Sequence, residues 1–204
     1  MSRDKFLTIL KLIRFDDKTQ RSERSNDRFT HIREVFEKFM ANCSSKYVLE
    51  AMLTVDEQLL PLKTRCKWIT FMPNKPDKYG LKFWVLAEVE SKYVVQAHPY
   101  LGKDTSGAVT HDLGNKVVIE LVKSANLGTG YNITADNYFS STNVVGELLK
   151  MGIFYVGTVK RSRTDVCEKM RQKKPLYNSA FFYFDDPKFM AVSYKDISSK
   201  SKHC

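Results

Sequence analysis

Long apolar segments are missing from this 204-residue sequence. A helix that spans a bilayer needs roughly 20 consecutive apolar residues, and no run in the chain approaches that length. The first residues, Met1 to Lys5, open an amphipathic pattern instead of the uninterrupted apolar core of a secretory signal. We therefore expect neither a membrane protein nor a secreted one, and the default location is the nucleus or the cytoplasm.

Closely spaced metal-binding side chains are also scarce. The four cysteines and four histidines are scattered, without a CxxC pair or the ligand spacing of a zinc site. We expect reduced thiols and no zinc in this chain. The residues concerned are Cys43, Cys66, Cys167, Cys204, His31, His98, His111 and His203.

Acidic residues are outnumbered, with 23 Asp and Glu against 33 Lys and Arg, which gives a formal net charge of +10. A basic balance of this size fits a polyanionic partner, nucleic acid before membrane, although many basic proteins are merely soluble. The composition is 43% hydrophobic and 12% aromatic, which is typical of a globular chain. A chain of this length can bury roughly 70% of its unfolded surface.

Two amphipathic helices are predicted in a first segment, residues 1–48. Ser2 can cap the first, and a polar connector over residues 18–28 separates it from the second, which we expect to begin after Asp27. We expect the second helix to pack against the following domain rather than to act as a separate recognition element. Apolar residues recur at helical spacing at Phe6, Ile9, Leu10 and Ile13, and again at Phe29, Ile32, Phe36, Phe39, Met40 and Cys43.

The stretch from Leu53 to Leu60 alternates like a strand and carries two adjacent acids. Alternation places Asp56 on the face opposite Leu53 and Val55, and Glu57 on the same face as them. An acid in a buried strand is costly unless it is paired, hydrogen-bonded or metal-bound. Asp56 is therefore either a hydrogen-bonded structural residue or a metal ligand, and we interpret Glu57 as structural.

The following elements alternate between strands and helices. Strands at 82–89 and 93–97 complete an antiparallel meander, a helix covers 117–125, and a strand from 131 ends near Asp136. A helix over 141–150, capped by Ser140 or Ser141, leads to a strand at 154–159. Such crossover helices usually make their strands parallel. Asn137 could orient a ligand or simply end its strand.

This α/β order, with an aspartate on the first and fourth strands, is similar to the ribonuclease H-like core of many nucleases and transposases. The resemblance implies that those two strands are neighbours and that Asp56 meets Asp136. Two carboxylates held together favour a divalent cation, and their hard oxygen atoms suit Mg²⁺ or Mn²⁺.

Several short stretches resemble the signature of the piggyBac transposase family: TVDEQ (54–58), PNKPDKYGLK (73–82), PYLG (99–102), ADNYFSS (135–141) and GTVK (157–160). The resemblance implies that Asp56 and Asp136 are the first and second metal-binding aspartates of a catalytic core. It also implies a nuclear location, DNA partners that include transposon ends and TTAA-type targets, and homodimers.

The family's third catalytic aspartate lies on a later helix, after an inserted domain, and these 204 residues do not reach it or the family's C-terminal zinc module. Asp185, Asp186 and Asp196 occupy a turn signal or the edge of a polar tail, so we do not expect them to replace it. We expect a DNA-binding remnant of a cut-and-paste transposase without autonomous catalysis. The alternatives are a fragment of an active Mg²⁺-dependent transposase and a protein-interaction module.

Two basic stretches are candidate DNA contacts. The connector between the first two strands carries Lys63, Arg65, Lys75 and Lys78 with Trp68 and Tyr79, which could bind phosphates and stack on a base. The open alternative is that Trp68 and Phe71 pack in the core while the lysines are only solvated. Residues 160–174 carry a local excess of five positive charges (seven minus two), which includes Lys160, Arg161 and Arg163.

We divide the chain into a helical segment at 1–48, an incomplete transposase core at 49–160, and the beginning of an inserted domain with a polar tail at 161–204. In the last part, residues 180–184 and 190–194 flank a turn signal at Asp185 to Lys188, which predicts a β-hairpin.

Overall fold

The computed structural model describes residues 1–21, 27–63, 66–102, 112–160, 162–171, 179–183 and 190–194. The helices are α1 (Arg3–Leu12), a short 3₁₀ turn (Lys18–Arg21), α2 (Arg33–Lys46), α3 (Leu113–Ser124), α4 (Thr142–Lys150) and α5 (Glu168–Arg171). The strands are β1 (Met52–Pro61), β2 (Thr70–Phe71), β3 (Tyr79–Glu88), β4 (Val94–Pro99), β5 (Asn132–Ala135), β6 (Phe154–Gly157), β7 (Ser179–Tyr183) and β8 (Met190–Tyr194). No helix of these ranges is long and apolar enough to cross a membrane.

A mixed six-stranded sheet forms the centre of the α/β structure. β3 is antiparallel to β1 on one side and to both β2 and β4 on the other, which confirms the predicted meander. β5 lies parallel to β1, and β6 lies parallel to β5. Helix α4 connects the parallel strands β5 and β6, while α3 carries the chain from β4 to β5, which pairs with β1. The predicted parallel arrangement across these helices is confirmed.

Alternation along β1 and β3 separates two apolar layers, one on each face of the sheet. One face carries Leu53 and Val55 of β1 and Ile133 of β5 against α3 and α4, where Leu121 and Leu148 have no exposed surface. The opposite face carries Phe83 and Ala97 against α2 and the segment before it, with the buried side chains Phe29, Met40 and Trp68. Helices therefore cover both faces of the sheet, and the larger layer lies under α3 and α4.

Local capping explains where several helices begin. The Ser2 hydroxyl accepts a hydrogen bond from Lys5 N at 3.3 Å, and the Ser141 hydroxyl accepts one from Val144 N at 3.1 Å, so both predicted caps form. The apolar residues of α1 are exposed, and none of its side chains is buried. The described part of the chain therefore does not bury the apolar face of α1.

The predicted start of α2 was wrong. The helix begins at Arg33, not after Asp27, because the Asp27 carboxylate accepts a hydrogen bond from Phe29 N at 2.9 Å and binds the Arg33 guanidinium. These contacts hold the intervening residues in turns, where Phe29 is nonetheless almost fully buried. The hairpin of β7 and β8 forms as predicted, while its turn at Asp185 to Lys188 lies outside the described residues.

Gly114, at the start of α3, lets that helix approach the turn that follows β5. A Cβ atom at this position would lie 2.3 Å from the Tyr138 carbonyl oxygen and 3.2 Å from Phe139 Cα, both of them backbone atoms. Because these backbone atoms cannot move aside as a flexible side chain can, position 114 requires glycine even though it lies in a helix.

We predict that Gly114→Ala lowers the free energy of unfolding by about 1–3 kcal/mol, as overpacking typically does. Helix propensity alone would favour alanine by about 1 kcal/mol, so the clash decides the sign. Gly128→Ala is the matched control, because a Cβ atom there meets nothing within 4 Å. Urea unfolding of both variants measures the difference, and a Gly114→Ala protein as stable as wild type would contradict this packing.

Candidate functional site

The pairing of β1 with β5 brings the two candidate metal ligands to neighbouring positions. The last paired residues are Val55 and Ala135, both buried, and the next residue on each strand is an aspartate, Asp56 on β1 and Asp136 after β5. β5 ends there while β1 continues to Pro61, so within the described residues Asp56 keeps only its β3 partner, Val85. The two acids lie at the opening where β5 leaves the sheet.

Asp56 is exposed, so the expectation that it sits in a buried strand environment was wrong. Val55 is buried beneath α3 and α4, but alternation turns Asp56 to the other face, and α2 covers that face over β3 and β4 rather than over this part of β1. The carboxylate therefore needs no ion pair to offset desolvation. One of its oxygens, Oδ1, accepts a hydrogen bond from Glu57 N at 2.7 Å.

Asp136 is also exposed and opens a hydrogen-bonded turn. Its Oδ1 accepts a hydrogen bond from Tyr138 N at 2.8 Å, and its carbonyl oxygen accepts one from the Ser140 hydroxyl at 2.8 Å. The Ser140 oxygen also lies 2.8 Å from the Tyr155 hydroxyl on β6. No hydrogen bond among the described residues uses Oδ2 of Asp56 or of Asp136, which leaves one carboxylate oxygen of each residue for a ligand.

Glu57 points to the face opposite Asp56, as alternation predicted, with Trp84 of β3 as its cross-strand neighbour. Close by, Lys82 Nζ lies 3.8 Å from the centre of the Trp84 ring. Burial lowers the pKa of the Lys82 ammonium, and the carboxylates of Glu57, Asp136 and Asp56 oppose that shift. The sequence analysis missed this half-buried cation, which lies on the same strand face as Glu57 and interacts electrostatically with both aspartates. Its i, i+2 spacing to Trp84 on one strand face was the available signal.

In the connector between β1 and β3, the predicted core packing is confirmed for Trp68 and is wrong for Phe71. Trp68 is buried, with its ring edge-on to Phe29 and Phe83 at 5.5 and 6.1 Å, so it packs in the core and does not offer a face to a base. Phe71 and Tyr79 are exposed instead and pack on each other at 4.9 Å.

The lysines of the connector differ in exposure. Lys63 and Lys78 are exposed, whereas Lys75 is half-buried, with Nζ 3.5 Å from the Glu57 carbonyl oxygen. None of the three forms an ion pair within the described ranges. Arg65 lies outside them.

The basic stretch after β6 is partly neutralised by its own acids. Arg163 binds Asp165 at 2.7 Å and Asp112 at 3.6 Å, and the hydrogen bond that it donates to Asp165 raises the pKa of its guanidinium. Asp165 in turn accepts a hydrogen bond from Thr142 N at 3.0 Å, at the beginning of α4. Lys160 is exposed, and Arg161 lies outside the described residues. A DNA contact by any of these residues stays a prediction.

A third ligand does not join the two aspartates in the described part of the chain, where no group of three or more His, Cys, Asp or Glu side chains could hold a metal ion. Asp185, Asp186 and Asp196 lie outside that part. The arrangement therefore supplies two adjacent oxygen ligands.

Comparison with known proteins agrees with this geometry. A family model described as Transposase IS4 matches residues 1–204. Human PiggyBac transposable element-derived protein 3 is 27% identical over 169 residues, which are 81% of this chain and 28% of that protein. Human PiggyBac transposable element-derived protein 2 is 25% identical over 186 residues, 89% of this chain and 31% of that protein. The chain thus spans less than a third of these relatives.

Among solved structures, a piggyBac transposase synaptic complex with hairpin DNA superposes with a TM-score of 0.83 at 36% sequence identity. The match covers 96% of this chain and 41% of that one. It confirms the predicted α/β, ribonuclease H-like core. On the family model, the relatives and this structure together, the chain belongs to the piggyBac transposase family.

Proposed function

We propose that this chain is a transposase-derived DNA-binding protein that holds two ligands of a catalytic metal site but does not cleave DNA by itself. The observation that carries the proposal is the β1–β5 register, which places Asp56 and Asp136 side by side at the opening of the sheet. Both residues stand in stretches that resemble the family signature, TVDEQ and ADNYFSS.

A divalent cation fits this donor set, because two exposed carboxylates offer hard oxygen atoms and each keeps one oxygen outside the hydrogen bonds of its own turn. Asp56 and Asp136 would hold Mg²⁺ or Mn²⁺. When bound, such an ion activates an attacking oxygen and stabilises the leaving oxygen at a phosphodiester. The chain's own contribution is to orient the second ligand, since Ser140 holds the Asp136 carbonyl oxygen and Tyr155 holds Ser140.

Two carboxylate ligands bind a divalent cation more weakly than a complete set of ligands does. Because the reaction needs the bound cation, we expect little autonomous catalysis. The described residues contribute no third carboxylate to the pair. A complete site would take its remaining ligand from sequence that corresponds to the part of the relatives outside the match.

DNA is the proposed partner because of the net charge of +10 and the exposed lysines of the two basic stretches. Lys63 and Lys78 lie in the connector, and Lys160 follows β6. The similar transposase was solved as a synaptic complex with hairpin DNA, which supports the same class of ligand here. Transposon ends, TTAA-type targets, a homodimer and a nuclear location complete the proposal, as the family resemblance implies.

We predict that binding to duplex DNA weakens steeply with salt. Five phosphate contacts would give a slope near −4.5 in the logarithmic plot, or about a 500-fold loss of affinity between 50 and 200 mM salt. Fluorescence anisotropy with a labelled duplex measures the slope. Lys63→Gln and Lys78→Gln should each reduce it by about one, whereas Lys123→Gln, an exposed lysine at the end of α3, should leave it unchanged. Absent or salt-independent binding would rule out the DNA-binding proposal.

We also predict a shared Mn²⁺ ion. Asp56→Asn and Asp136→Asn should each weaken Mn²⁺ binding by about tenfold or more, and the double variant should be little worse than either single one, because both remove the same ion. Titration followed by electron paramagnetic resonance measures the free ion. Glu57→Gln is the control, since Glu57 is adjacent in sequence but faces the other side of β1. Additive losses in the double variant would mean that the two aspartates bind separately.

The second candidate function is that of a fragment of an active transposase, which the 36% identity with a transposase in its synaptic complex favours. The two candidates differ in one assay. Incubation with transposon-end DNA and Mg²⁺ should leave the DNA intact if the chain lacks autonomous catalysis. Nicking that disappears in Asp56→Asn would establish the active fragment instead.

A further inference from the structure

An aromatic group lies next to the turn that carries Asp136, on the face of the sheet that Glu57 shares, and it packs against a lysine. Lys82 Nζ is 3.8 Å from the centre of the Trp84 ring and 5.7 Å from the centres of the Tyr100 and Tyr138 rings. The Lys82 side chain is half-buried on β3, directly across from Leu59 of β1. Within the described ranges it forms no ion pair, although Glu57 is two residues away on the neighbouring strand.

This placement is costly for a purely structural lysine. An ammonium group loses hydration when it is partly buried, and an aromatic face compensates for only part of that loss. Glu57 could supply a direct ion pair, but the ammonium lies against the Trp84 ring instead. The lysine thus presents a positive charge near the aspartates that no carboxylate of the described chain neutralises by contact.

Tyr138 completes the group and faces solvent. Its ring stacks on Trp84 at 5.5 Å with an interplanar angle of 14°, and its side is braced by Phe139. Trp84 is only 4% exposed, whereas Tyr138 is 39% exposed, so the tyrosine side chain stacks on a buried ring and still presents part of its own surface to solvent. The hydrogen bond from Tyr138 N to Asp136 fixes this ring to the turn that carries the second aspartate.

A partly exposed ring stacked on a buried tryptophan, next to an ammonium group without an ion pair, has the chemistry to receive an unpaired nucleotide. Bases of single-stranded DNA stack on aromatic side chains irrespective of sequence, and lysine binds the adjoining phosphate. A base inside an intact duplex is already stacked on both sides and cannot use such a ring. The group therefore discriminates between a duplex and a strand end whose bases are unpaired.

We propose that Tyr138 and Lys82 form a subsite for an unpaired nucleotide next to the Asp136 turn, in which the base stacks on Tyr138 and its phosphate contacts Lys82. The inference rests on the proposed DNA-binding function and adds a preference for strand ends. Trp84 is a positioning residue that supports both side chains.

The test compares two DNA duplexes of the same sequence, one blunt and one with a short overhang that carries 2-aminopurine at its first unpaired position. The 204-residue chain should bind the overhang at least about fivefold more tightly than the blunt end, and binding should quench the 2-aminopurine fluorescence by stacking. Both measurements are made on the wild-type chain, so they do not depend on whether a variant folds.

Variants of Tyr138 and Lys82 then test whether these two side chains cause the overhang preference and the quenching. Tyr138→Leu should abolish the preference and the quenching while leaving affinity for the blunt duplex within about twofold, and Tyr138→Phe should keep both. Lys82→Met should reduce the salt slope for the overhang duplex by slightly less than one, as expected for one lost phosphate contact. Phe154→Leu and Lys123→Met are the controls, because Phe154 is an exposed aromatic at the other end of the parallel strands and Lys123 is exposed on α3.

The outcomes separate this inference from the function on which it rests. Equal binding of the two duplexes, or quenching that persists in Tyr138→Leu, would overturn the subsite while DNA binding stands. Binding of neither duplex would overturn both proposals.

Discussion

The parallel pairing of β1 with β5 is the constraint on which the site depends. Four consecutive residue pairs, from Met52 with Asn132 to Val55 with Ala135, fix the register. A slip by one residue would turn Leu53 and Val55 away from the apolar layer under α3 and α4, so burial of that layer specifies the register strongly. The same register determines that Asp56 and Asp136 follow the last pair together. The register that packs the core is thus the same register that places the two metal-ligand candidates.

The turn after β5 connects that pairing with the rest of the site. Asp136 begins it, Tyr138 stacks on Trp84 of β3, and Ser140 bonds both the Asp136 carbonyl oxygen and Tyr155 of β6. Gly114 gives α3 the space to lie against the same turn. Contacts with β3, β6 and α3 fix the conformation of this turn, so the Asp136 carboxylate keeps its position although it is exposed. Such a carboxylate stays accessible to an ion and to DNA.

Much of this arrangement follows from the sequence, because strand alternation, helix caps and crossover order are local patterns. The neighbouring positions of Asp56 and Asp136 follow from strand order once the ribonuclease H-like resemblance is accepted. The exposure of Asp56 could not be predicted, since it depends on which part of the sheet α2 covers. The predicted start of α2 was wrong because the Asp27 carboxylate accepts hydrogen bonds from Phe29 N and from the Arg33 guanidinium, and does not cap the first turn of a helix. Lys82, Trp84 and Tyr138 escaped notice because their contact joins β3 to a turn more than fifty residues later.

The central claim is that Asp56 and Asp136 hold one divalent cation. Fe²⁺ can replace Mg²⁺ at carboxylate oxygens, and with peroxide and ascorbate it cleaves the backbone near its ligands. We predict cuts near residues 56 and 136 in the same sample, both suppressed by Asp136→Asn and both retained in Glu57→Gln. Cuts near only one aspartate, or cuts near residue 56 that survive Asp136→Asn, would contradict it.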